Sequence, residues 1–175
     1  MEPTIILKRP VSGLSRRALT VFVAQACRAA GLKGAVTVMV THSREMRSLN
    51  SRFRGKNQAT DVLSFPPPTP DNGFAGDIAV SLDIAARNAR SLGHSLGQEV
   101  EILVLHGILH LAGYDHEDDE GEMAQRETRL RRRLKLPQGL IERGQRNQVI
   151  ERSGHPVIPK SRDHSIVPSS GRRIT

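Results

Sequence analysis

Gly97-Gln98-Glu99-Val100-Glu101-Ile102-Leu103-Val104-Leu105-His106-Gly107-Ile108-Leu109-His110-Leu111-Ala112 reads as one long helix. Gly113 follows where a helix C-terminal glycine belongs, and Tyr114-Asp115-His116 continues the chain. His106 and His110 are four apart, so a helix puts them on one face, roughly 5–6 Å apart at Cβ. That separation lets two imidazoles converge on one ion. The glycine stop lets the chain turn back, so His116 is expected to reach the same ion from a loop. Three of the seven histidines fall in this eleven-residue window. Three neutral imidazoles on Zn²⁺ leave a fourth position for water and leave the dication's charge uncompensated, which suits anionic substrates. A single histidine on an apolar helix face is more often a packed core residue than a ligand, but this spacing is hard to reconcile with chance. A purely structural zinc is the weaker reading, because such sites are closed by four ligands rich in cysteine.

Working outward, the chain before Pro137 alternates between strand and helix patterns. Thr4 to Leu7 reads as a strand. Ser15 is expected to cap a helix to about Ala30 that carries Leu19, Phe22, Val23, Ala26 and Cys27 on one face. Gly31 and Gly34 break it, and Ala35 to Val40 is a second strand. A short helix starts near Ser43 with Met46, Leu49 and Asn50. Asp61 to Phe65 is a third strand, stopped by Pro66-Pro67-Pro68. After a Pro/Gly-rich loop over 66–75, Ile78 to Ser81 is a fourth strand, with Gly76 expected to permit the turn before it. A helix from Leu82 to about Ser91 precedes the central one, and a last helix spans about Asp118 to Leu134. Four strands and about five helices predict a single-domain α/β (α+β) fold, a four-stranded mixed sheet with the histidine site on a central helix.

The 175 residues carry 26 Lys+Arg against 18 Asp+Glu, a formal charge of +8. Residues 1–136 and 137–175 each contribute +4. The second segment has four prolines and no sustained apolar period, and reads as a disordered basic tail. The folded part, 1–136, is therefore only mildly basic. One cysteine excludes a disulfide framework and fits a reducing compartment. No apolar run approaches a bilayer span, and the first residues lack signal-peptide features, so a cytoplasmic location and no membrane partner are expected. The basic excess favours a polyanion, commonly nucleic acid. Five aromatic residues argue against recognition of many stacked bases.

The pattern differs from the H-E-x-x-H of zinc peptidases, where the residue after the first histidine is a glutamate acting as base. Here that residue is Gly107, which makes peptide hydrolysis a secondary reading. Asp115 is expected either to orient a histidine or to begin the acidic stretch Glu117 to Glu122.

Residues 106–116 match H-G-x-L-H-L-x-G-Y-D-H throughout, and the chain thereby resembles the YbeY family of bacterial endoribonucleases, the rRNA maturation factors. The resemblance extends to Leu49 to Lys56, to Ala59 to Pro66 and to Gly76-Asp77-Ile78, in order along 1–136. It implies a single-strand-preferring, metal-dependent endoribonuclease acting in small-subunit ribosomal RNA maturation and ribosome quality control. Its partners would be single-stranded and ribosomal RNA, with ribosomal particles and their proteins. It places one zinc ion on His106, His110 and His116 and the functionally important arginine at Arg54. From the residues themselves, catalysis is expected on Arg54 and His106, and substrate binding on Arg54 and Lys56. A guanidinium can hold two phosphate oxygens through its planar fork. A ribosome assembly factor whose zinc is mainly structural is the alternative from another class.

The remaining residues carry blander expectations. Thr60, Asp61 and Ser64 fit strand-surface and capping roles. Asp77 is expected to line the site or to satisfy local backbone donors. His42 and His94 have no partner at ligand spacing and are expected on the surface or in packing, and His155 and His164 in solvent. Tyr114 is expected to pack beside the helix stop, and Cys27 to be a buried thiol. The run Arg129 to Lys135 fits a helix C-terminus, with phosphate contact as an added role.

Overall fold

The computed structural model describes residues 2–67, 73–115 and 120–137. Strands β1 (Thr4–Leu7), β2 (Ala35–Thr41), β3 (Val62–Phe65) and β4 (Phe74–Ser81) form one sheet in the order β1-β2-β4-β3. β1 pairs with β2 and β2 with β4 in parallel, whereas β3 pairs antiparallel to β4. The helices are α1 (Arg16–Ala30), α2 (Ser43–Arg54), α3 (Leu82–Leu92), α4 (Leu96–Leu111) and α5 (Glu122–Arg133). The described residues form the expected mixed four-stranded sheet with five helices.

Local chemistry sets the ends. The Ser15 hydroxyl accepts from the Ala18 amide at 3.1 Å and starts α1, and Gly31 ends it at φ 80°. Ser95 and Gln98 form a reciprocal capping box that starts α4. The amides of Gly113 and Tyr114 donate to the carbonyls of His110 and Leu109 at 3.0 and 3.1 Å, which closes α4 with the expected glycine-dependent stop.

Alternation divides the sheet between two layers. Val36, Val38 and Val40 of β2 point with Ile5 and Val80 into the main core, against Leu19, Val23 and Ala26 of α1. α4 is apolar almost all round, and Val100 and Ile102 to Leu105, Ile108 and Leu109 are buried in the same core. Such a helix belongs at the centre of a domain, and α4 touches α1, α3, α5, β3 and β4. The opposite face of the sheet carries a smaller cluster, Met46, Leu63 and Ala79, with Met39, Leu49 and Phe65 partly buried around it.

Two boundaries differ from expectation by more than a residue. β4 begins at Phe74 rather than Ile78, so Gly76 lies inside the strand. A Cβ on Gly76 would sit 2.5 Å from the Phe65 carbonyl oxygen and 2.7 Å from Leu111 Cδ2, at φ 136°. Gly76 thus permits a close approach of β3 and α4, which sequence pattern reads as a turn. α5 begins at Glu122, after Gly121 in a left-handed conformation. The acidic stretch at 117–119, His116, and the tail beyond Pro137 lie outside the described residues.

Candidate active site

The second half of α4 is pressed onto the sheet at Gly107. A Cβ there would meet Ile78 Cγ2 at 2.9 Å and Ser64 Oγ at 3.0 Å. The Ser64 hydroxyl donates to the Gly107 carbonyl at 3.2 Å and ties β3 to this turn of the helix. Gly107 therefore marks the helix face against the sheet. A glutamate at this position would be driven into Ile78 and Ser64, which counts against chemistry of the H-E-x-x-H type.

His106 and His110 come together as their spacing predicts. Their Nε2 atoms are 3.1 Å apart, and the rings meet at 77° with centroids 4.8 Å apart. His106 is 9% exposed. Its Nδ1 lies 3.0 Å from Oε2 of Glu127 on α5. A carboxylate only accepts, so Nδ1–H donates to it and the neutral ring keeps its lone pair on Nε2, toward His110.

Glu127 is a residue that sequence reasoning missed. It lies 21 positions from His106, in a helix that reads as a charged surface. It is 1% exposed, and it forms an ion pair with Arg131, itself 2% exposed. Arg131 Nη1 donates onward to the Pro137 carbonyl at 3.1 Å. Burial pushes the Glu127 carboxyl up, but His106 and Arg131 outweigh it and hold the carboxyl below its ordinary range. Arg131 is thereby removed from the basic run expected to face phosphate.

The donor set fits zinc. Two nitrogens bound to one tetrahedral zinc at about 2.0–2.1 Å lie about 3.3 Å apart, close to the 3.1 Å between the two Nε2 atoms. A carboxylate behind one imidazole is the usual support of a metal-binding histidine. His116, the third expected ligand, lies outside the described residues. No group of three metal-binding side chains occurs among the described residues. Asp115 is exposed.

Arg54 closes α2, and Gly55 ends the helix at φ 69°. Arg54 and Lys56 are both exposed. Arg54 lines an apolar groove of about 740 Å³ on the α2 face of the sheet, together with Ser64, Phe65 and Asp77. Ser64 belongs both to this groove and to the contact under Gly107, so it joins the arginine side to the histidine helix.

A family model described as Endoribonuclease YbeY matches residues 7–135. The chain belongs to the YbeY family. It is 57% identical over 139 residues to a protein named Endoribonuclease YbeY from Koribacter versatilis, covering 79% of this chain and 90% of that one. It is 44% identical over 142 residues to the protein of the same name from Solibacter usitatus, covering 81% and 95%. Among solved structures, it is similar to the solution structure of TM1509 from Thermotoga maritima, with a TM-score of 0.55 and 26% identity, covering 91% of this chain and 99% of that one. The YbeY-family match includes α1 to α5 in full.

Of the two places expected for His94, surface or packing, the structure takes packing. The His94 Nε2 lies 2.6 Å from Glu99 Oε2, with both side chains buried at the start of α4. His42 is the N-cap residue of α2 and makes no side-chain cap. Asp61 Oδ1 accepts from the Val62 amide at 2.9 Å, a local capping role. Asp77 is exposed on the groove side of β4. Tyr114 packs against the main core. Cys27 is half-buried, and burial pushes its thiol up to about 11. Among the described residues no helix is long and apolar enough to cross a membrane.

Proposed function

We propose that this chain is a zinc-dependent endoribonuclease that prefers single-stranded RNA and acts in the cytoplasm on small-subunit ribosomal RNA, in its maturation and in ribosome quality control. The supporting relatives are named endoribonucleases. The observation that carries the metal reading is the His106–His110 pair, 3.1 Å apart with Glu127 behind it.

His106, His110 and His116 would hold one zinc ion. When bound, the ion supplies a Lewis acid to a phosphodiester. Glu127 fixes the tautomer and ring orientation of His106. Arg54 holds two non-bridging oxygens of the scissile phosphate and stabilises charge that grows on them. Lys56 adds a second cation for the RNA backbone.

The test incubates the purified full chain and its His106→Ala, His110→Ala and Arg54→Ala variants with single-stranded RNA, with casein as a control. RNA is cleaved by the wild type. Each variant loses roughly 10²-fold or more in rate, the scale of losing one oriented transition-state donor. Cleavage of casein alone would establish a peptidase. Association with ribosomal particles without cleavage would establish an assembly factor. A 2′,3′-cyclic phosphate end would assign the attack to the RNA 2′-hydroxyl.

A further inference from the structure

Three of the four phenylalanines of this aromatic-poor chain, Phe53, Phe65 and Phe74, line one groove. Phe53 is 57% exposed, and its ring meets Phe65 edge-on at 5.1 Å. The Arg52 guanidinium lies over the Phe53 ring, 5.3 Å from its centroid. Arg54 lines the same groove and Lys56 follows two residues later. We propose that this groove seats an unstacked nucleobase of single-stranded RNA beside the phosphate that Arg54 holds, a reading that rests on the nuclease function above.

An exposed aromatic ring with a guanidinium over it is the surface on which single-stranded nucleic acids stack their bases. The volume of about 740 Å³ lies within the roughly 300–1,000 Å³ of small-ligand sites. Thr37, Ser64 and Asp77 join Arg54 as the polar groups in a mostly apolar lining. The Asp77 carboxylate accepts from the exocyclic amine of a base, as carboxylates do from cytosine. The cations Arg52, Arg54 and Lys56 favour a polyanion over an apolar peptide in the same groove. Few aromatics exclude a long stacking platform, and these three suffice for one or two bases.

The chain has no tryptophan, so Phe53→Trp introduces a single indole as reporter. The full-length variant is mixed in stopped flow, before turnover, with a single-stranded RNA decamer and with an abasic decamer of equal charge. The RNA quenches the indole and the abasic chain does not. Phe53→Leu, which keeps an apolar side chain, and Phe53→Ala weaken decamer binding roughly 5- to 150-fold. Arg54→Ala weakens binding of both probes. Equal quenching by the two probes, or an unchanged affinity in Phe53→Leu, overturns the base site. Quenching by an apolar peptide but not by RNA makes the groove a protein-docking surface instead. If the wild type binds and cleaves RNA while the Phe53 variants show none of these effects, the base site fails alone. If the wild type neither binds nor cleaves RNA, the nuclease reading fails and takes the base site with it.

Discussion

Glu127→Gln separates what Glu127 does for the fold from what it does for the histidines. The glutamine oxygen can still accept from His106 Nδ1, so the substitution chiefly removes charge. That charge faces Arg131, and both side chains are 2% exposed in the ion pair. Removing one partner of a buried pair leaves the other uncompensated, at a cost of roughly 3–5 kcal/mol. The onward bond from Arg131 to the Pro137 carbonyl offsets little of this, because a carbonyl carries no net charge. Urea unfolding of the zinc-free protein is expected to show a loss in that range. Zinc affinity, read by competition with a chromogenic chelator, is expected to fall by no more than about tenfold, because the acceptor is kept and only the charge that raises the imidazole's basicity is lost. The paired variant Glu127→Leu, Arg131→Met removes both charges and the acceptor. It is expected to recover most of the stability and to lose about 100-fold in zinc affinity. A Glu127→Gln protein within about 1 kcal/mol of the wild type would refute the ion-pair role, and an unchanged zinc affinity in the paired variant, which lacks the acceptor, would refute the support of His106.

Two further outcomes follow from packing and burial. Gly107→Ala puts a methyl 2.9 Å from Ile78 and 3.0 Å from Ser64; overpacking of about 1–3 kcal/mol exceeds the gain of up to about 1 kcal/mol in helix propensity, so calorimetry should give a lower Tm, and a Tm at or above the wild type would show that α4 does not press on the sheet there. Cys27, with its thiol pushed up to about 11, is expected to react with iodoacetamide about two orders of magnitude more slowly at pH 8 than an ordinary thiol; the rate should climb about tenfold per pH unit toward pH 11, and a free-thiol rate at pH 8 by mass spectrometry would contradict its burial.

Legibility in the sequence followed the range of the interaction. Ser15, Gly31 and Gly113 act on amides and carbonyls within a few residues, so the ends of α1 and α4 could be read from residue type. The His106–His110 contact is likewise one helical turn long. Glu127 escaped notice because its partner is 21 residues away, and because Glu122–Arg133 carries enough charge to look solvated while its Met123, Glu127, Leu130 and Arg131 are buried. Arg131 likewise sits in a basic run whose pattern gives no sign of its burial. Gly76 read as a turn because its constraint is a neighbouring strand and the Leu111 side chain, neither visible in the local pattern. His94 had no ligand at metal spacing, yet a single carboxylate five residues on was enough to bury it. Composition shows that aromatics are scarce, but not that α2, β3 and β4 gather three of them in one groove.

A zinc ion on His106, His110 and His116, as proposed, would be required for RNA cleavage. The most direct measurement strips the full-length protein with a chelator, confirms its fold by circular dichroism, and follows cleavage of a single-stranded RNA before and after zinc is returned. Cleavage is expected to vanish in the stripped protein and to return at one zinc per chain, and not to return in His110→Ala. Full cleavage by the folded, metal-free protein would contradict the claim.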